Sequence, residues 1–442
     1  MRSWVSVSSS IFHLRALSLA LAVGCCVGWT ASAQQAPIPS KLTLSEALAI
    51  SRVNNARLIE LRALADAADA DRQSASRFLN PSFTFDAEGY PLFSSNRPSF
   101  WNGQDLTFRI DQELDLGGRR DLRTTSAATA AEVARLDIDA GVRTIELNVK
   151  RTYLAAILAQ EDRTVAQASL QELDRVITLN EARLRLGDVS GAELRRVKVE
   201  RLRFVDDVFS AELALKNAKS ALLALLGAPT LDQSIELTES LTLPGSAGPG
   251  LISASTEPGA AQAVVADALS RRPDVGAARR DVVRAETQTR LQRALRSPNP
   301  TVGGGYRRAS GTNAVVFGMT VPVPLFSNNQ GGVGRADAEL RAATARASAV
   351  ETLARLDIQQ AMNAVQTNSA RVEYIELEHL KNARESRDLT LESYRLGAAG
   401  LIDFLDAQRA FRETQRIYNR ALYDRRISFF ELSAALGLPD IR

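Results

Sequence analysis

The chain has 442 residues, 45% of them hydrophobic, with 54 Lys and Arg against 51 Asp and Glu and only two His and two Cys. That length supports two or three ordinary domains with large buried surfaces. The near balance of charge argues against a nucleic-acid partner, and so little His and Cys leaves few groups for metal or thiol chemistry.

The first predicted element is a targeting segment. Arg2 and Arg15 precede an apolar run from Ala16 to Trp29, and Ala31-Ser32-Ala33 follows as a cleavage site, which predicts a secretory signal peptide over residues 1–33. The run is shorter than the ~20 residues that a membrane-spanning helix needs. Cys25, after Leu21-Ala22-Val23-Gly24, also resembles a lipobox cysteine, which cleavage at that point would make a lipidated first residue; export follows on either reading. Cleavage after Ala33 removes Cys25, Cys26 and His13 and leaves His379 as the one imidazole. It also removes Arg2 and Arg15, so that 52 Lys and Arg face 51 Asp and Glu, a formal +1. The mature chain then has no disulfide, no Ser/His/Asp set, no metal-ligand cluster and no phosphate-binding glycine loop. No enzyme activity, cofactor or metal site is expected.

Residues 34–229 read as a first structural repeat. After a short helix at "TLSEALAIS" (43–51), a strand pair is expected at 81–90 and 104–116. Phe83, Phe85, Ala87 and Gly89 alternate with Ser82, Thr84, Asp86 and Glu88, and Leu106, Phe108 and Ile110 alternate with Thr107, Arg109 and Asp111. Strands of about ten residues with one apolar face suit a transmembrane barrel, although a soluble hairpin would alternate in the same way. Tyr90, Phe93, Phe100 and Trp101 are candidate interfacial aromatics.

From Arg119 to Leu186 there is no proline and one glycine, Gly141. This predicts a helix on the order of 100 Å long. Ile145, Val149, Tyr153 and Ile157 form one apolar set and Leu147, Leu154 and Leu158 another, so the helix packs against two neighbours, as in a bundle or a wall of helices. Arg185-Leu186-Gly187 ends it with the glycine that a left-handed cap favours, and Ser190 to Glu193 match an S-x-x-E box that restarts a helix. A hairpin tip near 187 results.

Residues 230–259, rich in Pro, Gly and Ser around Pro244–Gly259, read as a connecting segment. A second repeat over 260–442 follows: a helix, a strand pair at 300–309 and 314–325, and a long hairpin with its tip near 397. In the last of these strands Val315, Phe317, Met319, Val321, Val323 and Leu325 line one side. Gly334 to Leu396 is a second long stretch without breakers. An offset of 210 pairs Arg185, Leu186 and Gly187 with Arg395, Leu396 and Gly397, and Leu222, Ala224, Leu226, Gly227 and Pro229 with Leu432, Ala434, Leu436, Gly437 and Pro439; "ARLDI" recurs at 134–138 and 354–358. The chain is an internal duplication.

Four strands cannot close a membrane barrel, which needs about eight or more, and an open edge in lipid leaves backbone groups unpaired at several kcal/mol each. If the strands span a membrane, several chains complete one barrel. Two would give eight strands and a filled lumen, three would give twelve and room for a passage.

Signal peptide, "TLSEALAIS", two strand pairs, two long hairpins, the duplication and "YRLGAAGLIDFLDAQ" (394–408) together resemble the TolC-type outer-membrane efflux proteins. "QELDLGGRR" (112–120) and "VPVPLFSNNQGGVGRA" (321–336) are similar to segments of the heavy-metal, CzcC-like branch. The resemblance implies a mainly α fold with a membrane β-barrel contribution: a homotrimer whose twelve-stranded barrel in outer-membrane lipid continues into a periplasmic tunnel of helices. It also implies an exit duct working with a periplasmic adaptor protein and an inner-membrane pump of the RND type, possible cargo being divalent heavy-metal cations.

Site residues follow from the same resemblance. The family carries acidic residues six and nine positions after the tip glycine, facing the pore, here Asp403 and Asp406, and a tyrosine three positions before it, here Tyr394. Glu193 occupies the acidic position of the first tip, while the basic partner found in well-known members is replaced by Ala399. Spacing at i, i+3 sets Asp403 and Asp406 on one helix face; a trimer would repeat them as two rings of carboxylates, which favour cations. The tips themselves, Arg185, Leu186, Gly187, Asp188, Val189 and Ser190 in one and Arg395, Leu396, Gly397, Ala398, Ala399, Gly400 and Leu401 in the other, are the expected adaptor-docking surface. The competing class is a periplasmic coiled-coil scaffold or adhesin without a pore.

Overall fold

The computed structural model describes residues 37–89, 93, 104–242, 258–309 and 311–438. The expected signal peptide with Cys25, the aromatics Tyr90, Phe100 and Trp101, and residues 244–257 of the connecting segment lie outside them.

In chain order the first half contains β1 (Lys41–Leu42), α1 (Leu44–Asn54), α2 (Ala56–Ser76), β2 (Ser82–Glu88), β3 (Asp105–Glu113), α3 (Arg119–Leu186), α4 (Gly191–Leu225) and β4 (Glu236–Leu237). The second half contains α5 (Pro258–Arg271), α6 (Pro273–Ala294), β5 (Thr301–Ala309), β6 (Thr312–Thr320), α7 (Gln330–Tyr374), α8 (Lys381–Arg395) and α9 (Leu401–Ala435), with a π-helical segment, Ile375–Leu380, between α7 and α8. α1 starts at a T-x-x-E box: Thr43 Oγ1 accepts from the Glu46 N–H at 3.2 Å and the Thr43 N–H donates to Glu46 Oε2 at 2.9 Å. α3 runs 68 residues without interruption. Its Gly141 faces the crossing of α2, where a Cβ would clash with Leu61 Cδ1. The second long stretch differs from its expectation, because its turns widen at Ile375–Leu380 and divide it in two. Only Ile375 of that segment is buried.

α3 packs on α2, α4, α6 and α9, and α7 packs on α6 and α9. The main core lies mid-way along α3, where Ile145, Val149, Tyr153, Leu154 and Ile157 meet Leu222 and Leu223 of α4, Leu226 just past its end, and Leu44, Ala47 and Ile50 of α1. β1 pairs in parallel with β4 over this core, and Tyr153 Oη donates to the Leu42 carbonyl at 2.8 Å. Both predicted apolar sets of α3 are thus used: Tyr153 and Leu154 are fully buried while Leu158 packs half-buried against them.

The four long strands form one antiparallel sheet in the order β2-β3-β5-β6. Phe85, Phe108, Tyr306 and Val315 stand in one cross-strand row, and Thr84, Arg109, Gly305 and Val316 in the next. One face is therefore apolar, with Phe83, Ile110, Val315, Phe317 and Met319 exposed; the other carries Thr84, Asp86, Arg109 and Asp111. β2 and β6 are edges. The last strand is shorter than expected and ends at Thr320, because Pro322 and Pro324 have no N–H to give a ladder. Val321, Val323 and Leu325 fall beyond it as exposed side chains. Among the described residues no helix is long and apolar enough to cross a membrane.

Candidate functional site

The two hairpin tips gather the candidate gate residues Glu193, Tyr394, Asp403 and Asp406 and the expected docking residues. α3 ends where Gly187 adopts φ +86°, its N–H donating to the Leu184 carbonyl at 3.2 Å while Asp188 N–H reaches the Arg183 carbonyl at 3.0 Å. α8 ends in the same way, with Gly397 at φ +80° and Ala398 N–H donating to the Ser393 carbonyl at 2.8 Å. These are left-handed caps that an L side chain adopts only at a cost.

The return helices start differently. Ser190 Oγ accepts from the Glu193 N–H at 3.1 Å. In the second tip the N-cap is Gly400, which has no side chain, and its N–H instead donates to Asp403 Oδ2 at 3.0 Å. Asp403 is exposed, so one carboxylate oxygen is held by the backbone and the other is left to the solvent side. Asp406 is exposed as well, but Arg409 donates to its Oδ1 at 3.1 Å and pairs at the same time with Glu200 on α4. The two carboxylates share a helix face yet differ in what holds them.

Beneath the tips lies a second apolar core built from Leu173, Val176 and Ile177 of α3, Leu194, Val197 and Phe204 of α4, Leu391 and Tyr394 of α8, and Leu401, Phe404 and Leu405 of α9. Tyr394 is 2% exposed. Its Oη donates to Asn180 Oδ1 at 2.6 Å, its ring stacks on Phe404 with centroids 6.0 Å apart, and the Arg183 guanidinium lies 5.5 Å from its centroid. Arg183 also donates to the Tyr394 carbonyl at 3.1 Å and to the Arg395 carbonyl. Burial pushes the phenol's pKa above its ordinary value, with the nearby Glu193 charge adding to the rise and the Asn180 hydrogen bond and Arg183 opposing it.

Within the protomer Tyr394 thus does not line an open wall but pegs one hairpin to the other. Buried tyrosines need a partner for the hydroxyl, and the partner here lies 214 residues away. Leu401 also departs from its expected place on the docking surface: it is 5% exposed and points into the core, whereas Leu186 and Leu396 stand out at 77% and 76%. Arg185, Gly187, Asp188, Ser190, Arg395, Gly397, Ala398 and Gly400 are exposed, and Val189, Glu193 and Ala399 half-exposed. Sequence reasoning missed Asn180, Arg183 and Arg409, none of which stands at a motif position. Among the described residues no group of His, Cys, Asp and Glu could hold a metal ion.

Two long hairpins with glycine-capped tips, on helices that continue into an open antiparallel sheet, match a family model described as outer membrane efflux protein over residues 47–228 and 264–438. The chain belongs to this family. Membership makes it a channel protein of the outer membrane in a Gram-negative envelope, with its helices on the periplasmic side. The chain is 24% identical over 381 residues to the cobalt-zinc-cadmium resistance protein CzcC of Cupriavidus metallidurans, covering 85% of each chain. It is 26% identical over 324 residues to the pyoverdine export outer membrane protein OpmQ of Pseudomonas putida, covering 70% of this chain and 65% of that one. Its fold is that of the outer membrane protein VceC of Vibrio cholerae, with a TM-score of 0.72 at 20% identity over 89% of this chain and 96% of that one.

Proposed function

We propose that this outer-membrane efflux protein is the exit duct for divalent heavy-metal cations, working as a homotrimer with a periplasmic adaptor and an inner-membrane pump of the RND type. The observation that carries this reading is the set of exposed carboxylates Asp403 and Asp406 on one face of α9 at the tip, in a chain similar to CzcC along most of its length. Three copies bring three such pairs to one axis at the periplasmic mouth, where fixed negative charge favours cations over anions.

Trimer formation accounts for two surfaces that a single chain leaves open. β2 and β6 present unpaired edges, and three sheets side by side make twelve strands without an edge. α4 exposes Val199, Leu202, Phe209 and Leu213 along one stripe, which a neighbouring protomer covers. Tyr394 with Glu193 behind it forms the gate, closed while the two hairpins stay pegged. The exposed tip residues of both hairpins, Leu186 and Leu396 foremost, dock the adaptor.

Deletion of the gene tests the cargo. Sensitivity to cobalt, zinc and cadmium rises in the deletion strain while a panel of drugs is unaffected. Similarity to OpmQ supports siderophore export as the second reading, and accumulation of an iron chelator with unchanged metal tolerance would favour it over the first.

A further inference from the structure

Both halves approach the sheet through one short motif. "RFLNPS" (77–82) leads from α2 into β2 and "RSPNPT" (296–301) leads from α6 into β5, an R-x-x-N-P-S/T match at an offset of 219. The proline and asparagine have local work. Pro81 and Pro300 hold the chain extended as it enters a strand. Asn299 Nδ2 donates to Glu113 Oε1 at 2.8 Å, and its Oδ1 accepts from the Leu116 N–H at 3.4 Å.

The arginine has no such local work. Arg77 and Arg296 are both exposed, and neither guanidinium has an ion pair or hydrogen bond among the described residues. Exposed apolar side chains flank both in sequence, Phe78 and Leu79 beside Arg77 and Leu295 beside Arg296, while Arg123, which donates to the Arg77 carbonyl at 3.3 Å, adds a second cation beside Arg77. Phe78 is exposed, with the Arg120 guanidinium 4.0 Å from its ring centroid. The segment leaving β6 exposes Val323, Leu325 and Phe326, the last of them 97% accessible. The exposed apolar face of the sheet is thus continued past the strand ends, on the joints where the helices begin. Unpaired guanidinium groups beside exposed apolar side chains at the periplasmic edge of a membrane sheet match the head-group layer, where basic side chains meet lipid phosphate while their neighbours meet the acyl chains.

We propose that Arg77 and Arg296 bind the phosphates of anionic glycerophospholipids in the periplasmic leaflet, forming a collar of two sites per chain. The guanidinium fork suits a phosphate better than the point charge of an ammonium. This inference rests on the sheet being the membrane part of the protein, not on what the duct carries.

The test uses the full mature protein in a neutral detergent, incubated with phosphatidylglycerol or phosphatidylethanolamine, with retained lipid counted by native mass spectrometry. Wild-type protein retains phosphatidylglycerol in preference, and added glycerol phosphate does not displace it. An arginine near an anionic membrane surface is worth about a fivefold change in binding, so R77Q/R296Q lowers retention at each of the two sites about fivefold. R77K/R296K keeps the charge without the fork and falls between. R341Q, an exposed arginine well down α7, serves as control and retains lipid as the wild type does. Equal retention by R77Q/R296Q, or an equal fall in R341Q, overturns the proposal. Planar-bilayer conductance separates it from the duct reading: pores that persist in R77Q/R296Q leave the duct intact, whereas a wild type that never conducts defeats the duct and leaves the lipid result standing.

Discussion

At the α3–α4 tip a serine hydroxyl caps the return helix, whereas at the α8–α9 tip the same position is Gly400 and the cap is the Asp403 carboxylate. Both tips keep the glycine that turns the chain, at φ +86° and +80°. They diverge in everything that hangs on the turn. The first tip supplies Arg183 and Asn180; the second supplies Tyr394 and the carbonyl oxygens on which Arg183 acts. The two tips share the geometry of a hairpin end while serving as donor and acceptor for each other, so that contact between hairpins replaces symmetry between them.

The strongest way to break that comparison is to remove the peg. Tyr394→Ala empties a fully enclosed site, and large aromatic truncations in cores cost about 3–5 kcal/mol. Hydrogen exchange should show tips 183–194 and 391–405 losing protection together, while the core around Tyr153 keeps its own. Tyr394→Phe, which leaves Asn180 buried without its partner, costs about 1–3 kcal/mol. The pH dependence follows from the direction of the shift. A phenol whose folded pKa is raised is neutral in the fold, so its contribution is fully present below the ordinary tyrosine value of about 10 and is lost as pH rises through the higher folded value. Alkaline loosening of the tips should therefore begin only above pH ~10, and Tyr394→Phe should abolish that limb of the profile.

Arg183→Ala comes next. It removes a charged donor to two carbonyls at the end of α8 and a cation over the Tyr394 ring, an expected loss of about 2 kcal/mol. Planar-bilayer recordings should show longer or more frequent open events. A closed-state conductance and lifetime equal to wild type would show that Arg183 only decorates the contact.

How much of this was legible beforehand depended on the range of the interaction. α3 could be read to the residue because an unbroken run without proline ends at a glycine. The strands are legible from alternation, but alternation alone carries β6 too far, since Val321, Val323 and Leu325 continue the period while Pro322 and Pro324 end the ladder. The π turn at Ile375–Leu380 left no mark in residue type, and Tyr394 and Leu401 could not be turned inward from sequence because their partners come from the other hairpin. Asp403 and Asp406 were placed on one face by spacing alone. That Asp403 is a cap and Asp406 an ion-pair partner of Arg409 is decided by the fold around them.

The turn glycines sharpen the comparison from the other side. No atom lies within 4 Å of a Cβ built on Gly187 or Gly397, so Gly187→Ala and Gly397→Ala differ from wild type only in backbone strain, about 1–2 kcal/mol at each. Equal losses by thermal unfolding would show that the glycine turn is energetically the same at both tips. A larger loss at Gly397 would mean that the inter-hairpin contact leans on that turn.

Neutralising the carboxylates gives the smallest effect on stability and the most direct view of conduction. Asp403→Asn keeps an oxygen for the Gly400 N–H, so the cap survives at a cost of a few tenths to about 1 kcal/mol. Asp406→Asn removes one exposed ion pair, worth under about 1 kcal/mol, and Arg409 keeps Glu200 as its partner. Neither change should disturb the fold, which makes reversal potentials in a salt gradient interpretable. Arg409 lies against Asp406 and offsets its field, whereas Asp403 is held by a neutral N–H and keeps its full charge. Asp403→Asn should therefore shift the reversal potential further toward non-selectivity than Asp406→Asn, and Asp406→Asn should shift it more once Arg409→Gln has removed the offsetting cation. If both single variants leave the potential where wild type has it, the selectivity of the duct resides elsewhere along its length.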